Sequence, residues 1–233
     1  MTVLYDSIFI SKDVSNSPLS QALTRALEYL LSHQQKDGHW EEYSLPVGRS
    51  DAWVTGYIGY AVAEAAPFLM PSYFRLSSVQ AAEWLDSNRA YPAGWGYNGF
   101  TGADADSTAW AIRLMQVVGK SLLDVDIAFL LSKLCPDSGF ATYDGPGFWG
   151  VAHPDVTANV FISLPNSQQN SIKQQIIDYT ISSRSEDGTW PSYWWRTCHY
   201  STLMNLEMLT LLGIRDEFQL PVVQNDETHA IHS

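Results

Sequence analysis

The chain has 233 residues, 45% of them hydrophobic, enough to bury one sizeable core. Thirteen Lys plus Arg against 25 Asp plus Glu give a formal charge of −12, which leaves no basic surface for nucleic acid or an anionic membrane. Cys135 and Cys198 are too few for a disulfide framework, no apolar run is long enough for a transmembrane segment, and the N-terminus, with Asp6 and no leading basic residue, does not read as a secretion signal; a cytoplasmic protein is expected.

Residues 1–15 read as a poorly ordered segment, 16–215 as one repeat domain and 216–233 as a polar tail. Within the domain, Leu19, Leu23, Leu27, Leu30 and Leu31 recur at spacings of three and four and predict a helix over 17–33. Similar runs predict helices over 53–66, 76–87, 108–118, 122–134, 156–164, 169–183 and 201–212. In the fourth of these, Trp110, Ile112, Leu114, Met115 and Val118 make a broad apolar surface. Pro and Gly clusters over 92–99 and 145–150 separate the helices. No stretch alternates in a way that demands a sheet.

Two marks repeat along the chain. Thr55, Thr108, Thr157 and Thr202 stand at helix starts, separated by 53, 49 and 45 residues. Upstream of each lies a glycine beside an aromatic: Gly38 with Trp40, Gly94 with Trp95, Gly139 with Phe140 and Gly188 with Trp190. Self-similarity at a period of about fifty residues signals stacked supersecondary units. The expected fold is all-α, with four antiparallel helical hairpins curved into an α/α toroid or an open arc of one.

In such a stack the residues just before alternate helices face a common mouth. Trp53, Asp106, Asp155 and Tyr200 form one expected ring, and Asp51, Asp104, His153 and Cys198 a second beside it. Asp is a good helix N-cap, worth about 1 kcal/mol, and capping is the plain role for Asp51, Asp104 and Asp155. Where Asp104 caps, Asp106 is left to point inward. Tyr57, Trp110, Trp149, Trp194 and Trp195 join Trp53 as the rim, while Trp40, Trp95 and Trp190 are expected to pack between hairpins. Two close carboxylates in an aromatic mouth cannot comfortably both ionise, so one is expected to hold its proton, which takes roughly 4 kcal/mol at neutral pH. A neutral carboxylic acid there donates a proton to an alkene or epoxide, and aromatic faces stabilise the resulting cation by about 0.5 to 2 kcal/mol each. At least one of His153 and His199 is expected within reach of a motif carboxylate, to orient and reprotonate it.

The run Asp104-Ala105-Asp106-Ser107-Thr108-Ala109 resembles the DxDD(T/S)A or DxDTT motif of class II terpene cyclases and squalene-hopene-type cyclases, with Ser107 at the place of the last Asp. Gln34-Gln35-Lys36-Asp37-Gly38-His39-Trp40 resembles their QW repeat, and Ser185 to Trp190 is a weaker copy. The resemblance, to the prenyltransferase and squalene-cyclase repeat superfamily, covers about residues 17–213. It implies an α/α toroid and makes Asp106 the general acid with Asp104 as its companion. It also implies an isoprenoid substrate, no cofactor and no metal, and isomerase or lyase chemistry. Family cyclases place the site between two toroidal domains, so a homodimer or partner protein is expected to complete it unless one domain's cavity suffices.

Other readings stay open. Related toroids include zinc prenyltransferases and lanthionine cyclases, for which Cys135, Cys198 and His199, or His153 and Asp155 with His199, would supply ligands. A toroid that binds a hydrophobic ligand without catalysis, or one that hydrolyses glycosides with Asp106 paired to Asp51 or Asp155, is the remaining class.

Overall fold

The computed structural model describes residues 17–68 and 72–214. The segments read above as a poorly ordered N-terminus, 1–15, and as a polar tail, 216–233, lie outside them. Eight α-helices account for most of the described residues: α1 (Pro18–Ser32), α2 (Ala52–Ala65), α3 (Ser72–Ser87), α4 (Ala105–Val118), α5 (Asp124–Leu131), α6 (Pro154–Ser163), α7 (Asn166–Ser182) and α8 (His199–Leu211). They match the eight predicted runs in order, most of them beginning a few residues earlier than the apolar periodicity suggests. Polar capping turns carry no periodic signal, and these supply the extra residues. α1 instead begins one residue after its predicted start, because Ser17 is its N-cap: the Ser17 hydroxyl accepts from the Ser20 amide at 3.1 Å, with Pro18 in the first helical position.

The expectation of no sheet is corrected by a small antiparallel hairpin, β1 (Glu42–Leu45) with β2 (Gly48–Ser50). Its strands have four and three residues and a register irregularity between Glu42 and Ser44, so no clean alternation could reach the sequence.

The chain divides into two compact units at Lys133 and Leu134. In the first, α2 packs on α4 and α3 packs against both. Val62, Phe74, Ala81, Leu85, Ala109, Ile112 and Leu114 fill the space between them. The α2 and α4 backbones come close at Gly56, where an added Cβ would lie 3.0 Å from the Ala111 amide nitrogen. In the second unit α6 packs on α7 and α8 around Phe140, Val156, Val160, Phe161, Ile176, Trp190 and Met208.

One local arrangement recurs at the four threonine marks. Thr55, Thr108, Thr157 and Thr202 are each the fourth residue of their helix, in α2, α4, α6 and α8. Each hydroxyl accepts from the backbone amide of the upstream aromatic: Trp40 at 2.9 Å, Trp95 at 3.0 Å, Phe140 at 2.8 Å and Trp190 at 3.1 Å. Thr55 and Thr108 also donate back to the carbonyls of Trp40 and Trp95, at 3.3 and 3.2 Å. The three tryptophans in turn donate Nε1–H, at 2.7 Å each, to a carbonyl ten residues earlier: Leu30, Leu85 and Thr180. Trp40, Trp95 and Trp190 are therefore buried packing elements, as expected.

The aromatic, not the glycine, is the fixed point of the mark. The left-handed residue two places before it is Gly38 and Gly188 in two copies but Ser138, at φ 72°, in the third, while Gly94 directly precedes Trp95.

Thr108→Val keeps the shape of the side chain but strips the amide and carbonyl of Trp95 of their partner in a buried place. It is expected to cost about 1 to 3 kcal/mol in denaturant unfolding with an unchanged m-value. An unaltered midpoint would show the bond to be dispensable.

Candidate active site

In the first unit the two motif carboxylates have different tasks. Asp104, 3% exposed and extended at φ −132° and ψ 161°, is the N-cap of α4. Its Oδ1 accepts from the Ser107 amide at 2.8 Å and its Oδ2 from the Ser107 hydroxyl at 2.7 Å. Ser107, standing where the DxDD form has a carboxylate, therefore holds the cap in place from both its donors. Asp51 likewise caps α2, accepting from the Ala52 amide and, at 3.4 Å, from the Gly99 amide.

Asp106 is the second residue of α4 and is 8% exposed. Its Oδ2 accepts a 2.6 Å hydrogen bond from Nε1–H of Trp53, the second residue of α2. Trp53 stacks on Tyr57, centroids 5.3 Å apart at 16°, and Tyr57 meets Trp110 edge-on at 4.8 Å. Three of the predicted rim residues thus form one continuous wall beside the carboxyl. The wall also has members that were not foreseen. Tyr60 lies 5.6 Å from Trp110, and the buried Arg113 guanidinium sits 4.3 Å from the Tyr60 ring centre and 4.5 Å from that of Trp110. Their spacing was available as a signal: 106, 110 and 113 fall on one helical face, as do 53, 57 and 60.

In the second unit His153 stands at the N-cap position of α6 but makes no capping bond. Its Nε2–H donates to the Phe148 carbonyl at 2.9 Å, and its ring stacks on Tyr193 with centroids 4.1 Å apart. Asp155 is the second residue of α6, inside the helix, and so is not the cap; Pro154 takes the first position. Its buried carboxylate accepts from the Val156 amide at 3.1 Å and from the Ser192 hydroxyl at 2.7 Å. Trp149 lies 5.2 Å from Trp194, whose Nε1–H donates to Thr142 Oγ1 at 3.0 Å, and Tyr193 packs edge-on against Trp194. Trp195 and Tyr200 form a separate pair at 5.2 Å. Trp149, Tyr193, Trp194 and Trp195 all remain partly open to solvent. His199, the first residue of α8, is exposed. Tyr193 and Ser192 carried no mark in the sequence, because the repeat register singles out only positions next to helix starts.

Among the described residues, no three His, Cys, Asp or Glu side chains come together so as to hold a metal ion. The zinc sets drawn from Cys135, Cys198, His199, His153 and Asp155 are therefore not assembled. Cys135 and Cys198 are not joined in a disulfide, and Cys135 donates weakly to the Gly150 carbonyl at 3.7 Å. No helix among the described residues is long and apolar enough to cross a membrane.

This fold, with an aspartate at the start of a buried helix facing an aromatic wall, is similar to that of solved type II terpene cyclases. The enzyme MstE from Scytonema, without ligand, is 29% identical and superposes with a TM-score of 0.73 over 84% of this chain and 58% of its own. An aspartate-to-asparagine variant of MstE holds geranylgeranyl dihydroxybenzoate as substrate, and an aspartate-to-alanine variant holds merosterolic acid A as product, each 28% identical. A protein from Actinoplanes is 26% identical, with a TM-score of 0.72 over 82% of this chain and 60% of its own. The chain thus spans about three fifths of the length of the structures it matches. No protein-family model matches it, and no curated protein does.

Burial lifts the Asp51 carboxyl above its ordinary pKa, against the pull of the bonds from Ala52 and Gly99. The folded state therefore favours the protonated form, and the stability it contributes is present below the usual carboxylate pKa and lost as pH rises through the raised value. Asp51→Asn keeps the acceptor and removes that slope. Its Tm is expected to fall less than that of the unaltered protein between about pH 4 and pH 7. Parallel curves from the two proteins would count against this.

Proposed function

We propose that this protein catalyses class II-type cyclisation or isomerisation of an isoprenoid, begun by proton transfer from Asp106 to an alkene or epoxide. The observation that carries this reading is the Asp106 carboxyl itself. It is nearly enclosed and accepts on Oδ2 from Trp53, whose ring begins a run of aromatic contacts through Tyr57 to Trp110. The likeness to MstE supports it, since that enzyme is described with a prenylated aromatic acid as substrate and a cyclised product.

In this mechanism the Asp106 proton forms a new C–H bond at the terminal alkene, or an O–H bond at the epoxide, and leaves a carboxylate behind. The π electrons of the next double bonds close the rings. The aromatic wall stabilises the travelling cation through its quadrupoles, and loss of a proton or capture of water ends the reaction. Asp104 fixes the start of α4 and so the place of Asp106. No cofactor takes part in this scheme. For His153, Asp155, His199 and Tyr200, all in the second unit, the role proposed is the one read from the sequence, as polar groups. Trp149, Trp194 and Trp195 offer a half-open aromatic face suited to an apolar chain. A homodimer or partner protein completes the enclosure unless one domain's cavity suffices. A cytoplasmic setting fits two cysteines outside any disulfide.

Asp106→Asn keeps size and burial. It is expected to abolish turnover of geranylgeranyl dihydroxybenzoate or of a polyprenyl panel by roughly 10² to 10⁴-fold, with fold and ligand affinity intact. Undiminished turnover by this variant, assayed beside an active unaltered protein, would eliminate Asp106 as the proton donor.

A further inference from the structure

The geometry points to Trp53 as a positioning residue for the proton donor, assigning the transferable proton of Asp106 to Oδ1. The inference rests on the reading of Asp106 as that donor. It starts from a contrast among the buried tryptophans. Trp40, Trp95 and Trp190 each direct Nε1–H to a backbone carbonyl ten residues earlier, the same bond three times over, and so serve the fold. Trp53, also buried at 7% exposure, directs its Nε1–H to a side-chain carboxyl 53 residues away on another helix. No backbone group needs that bond.

Its chemistry follows from the donor and the acceptor. An indole N–H only donates, so Oδ2 of Asp106 can only accept from it. In the neutral acid the better acceptor is the carbonyl oxygen, which makes Oδ2 the carbonyl and puts the proton on Oδ1. When that proton leaves, negative charge spreads onto Oδ2 and the bond becomes charge-assisted, shorter and stronger. Trp53 therefore stabilises the carboxylate that forms as the reaction starts, through a group already aimed and needing no rearrangement. The stack on Tyr57 at 16° holds the indole plane, and the close approach of α2 to α4 at Gly56 holds its distance. The rim residue of the sequence reading thus has a second task.

The full chain labelled with 15N in its nine tryptophans allows this to be tested without a substrate. One indole N–H resonance, identified by its disappearance in Trp53→Phe, is expected downfield of the ordinary indole position. In Asp106→Asn the same resonance should move upfield, as the anionic or acidic acceptor gives way to an amide, and in Asp106→Ala it should move further and exchange with solvent faster. A Trp53 resonance unmoved by both substitutions at Asp106 would overturn the assignment. Kinetics supply the second arm, with geranylgeranyl dihydroxybenzoate or whichever polyprenyl compound the unaltered protein converts. Trp53→Phe retains a ring to stack on Tyr57 and is expected to lose about 10²-fold in kcat, with KM changed by less than about threefold. A loss confined to KM would make Trp53 a substrate wall and nothing more. If the unaltered protein converts no prenyl compound, the proposed activity fails while the resonance experiment still decides the Trp53 bond.

Discussion

A threonine hydroxyl clasping the backbone of an aromatic residue at the end of the preceding turn sets the frame for everything else in this molecule. Because Thr55, Thr108, Thr157 and Thr202 all occupy the fourth helical place, the residues before them fall into fixed ranks. The N-cap rank is Asp51, Asp104, His153 and Cys198, and the second-residue rank is Trp53, Asp106, Asp155 and Tyr200. The clasp is local in sequence, spanning 12 to 17 residues, and it satisfies buried backbone groups that no helix could reach. Side chains in the two ranks are thereby free to differ. In one helix pair they have become a carboxyl and an indole that find each other.

The division of labour between Asp104 and Asp106 follows from the same frame. A carboxylate at the N-cap meets amide donors and finds its bonds there, as Asp104 does; Asp106, at the second place, is answered from another helix by Trp53. Ser107 strengthens the separation, since its amide and hydroxyl both engage Asp104. A third carboxylate in its place would offer Asp104 no donor from its side chain. The capping that a serine supplies is thus structural reinforcement of the carboxyl two residues before Asp106.

The frame was legible in the sequence because its parts are close together and periodic. Eight helices and the threonine register follow from spacing, the packing role of Trp40, Trp95 and Trp190 from their place after turn glycines, and capping stood as one of two roles open to Asp104. What escaped has a common cause, which is contact between residues far apart in the chain or too short in extent to show a period. The hairpin of Glu42–Leu45 with Gly48–Ser50 is too brief to alternate. Asp155 looked like a cap until Pro154 was seen to take the first helical place. The donor role of Trp53 was hidden because an aromatic side chain reads as apolar in any pattern, and only its 2.6 Å approach to Asp106 shows the polar tip at work. Tyr60 and Arg113 were overlooked for a similar reason: a buried cation between rings is a tertiary arrangement that a hydropathy pattern records as a break in the apolar face.

The absence of a side chain at Gly56 has a bearing on redesign. With the Ala111 nitrogen only 3.0 Å from where a methyl carbon would stand, α2 and α4 touch through main chain, and no flexible group cushions them. Their spacing is a ruler made of covalent geometry, insensitive to the rotamer adjustments by which ordinary cores absorb change. A larger residue at this point would act as a wedge, driving the indole of α2 off the carboxyl of α4 before it altered the room available to a substrate. Variation in the space around Asp106 has to come from walls built elsewhere, and a chain changing that space would keep this one contact while remodelling the rest.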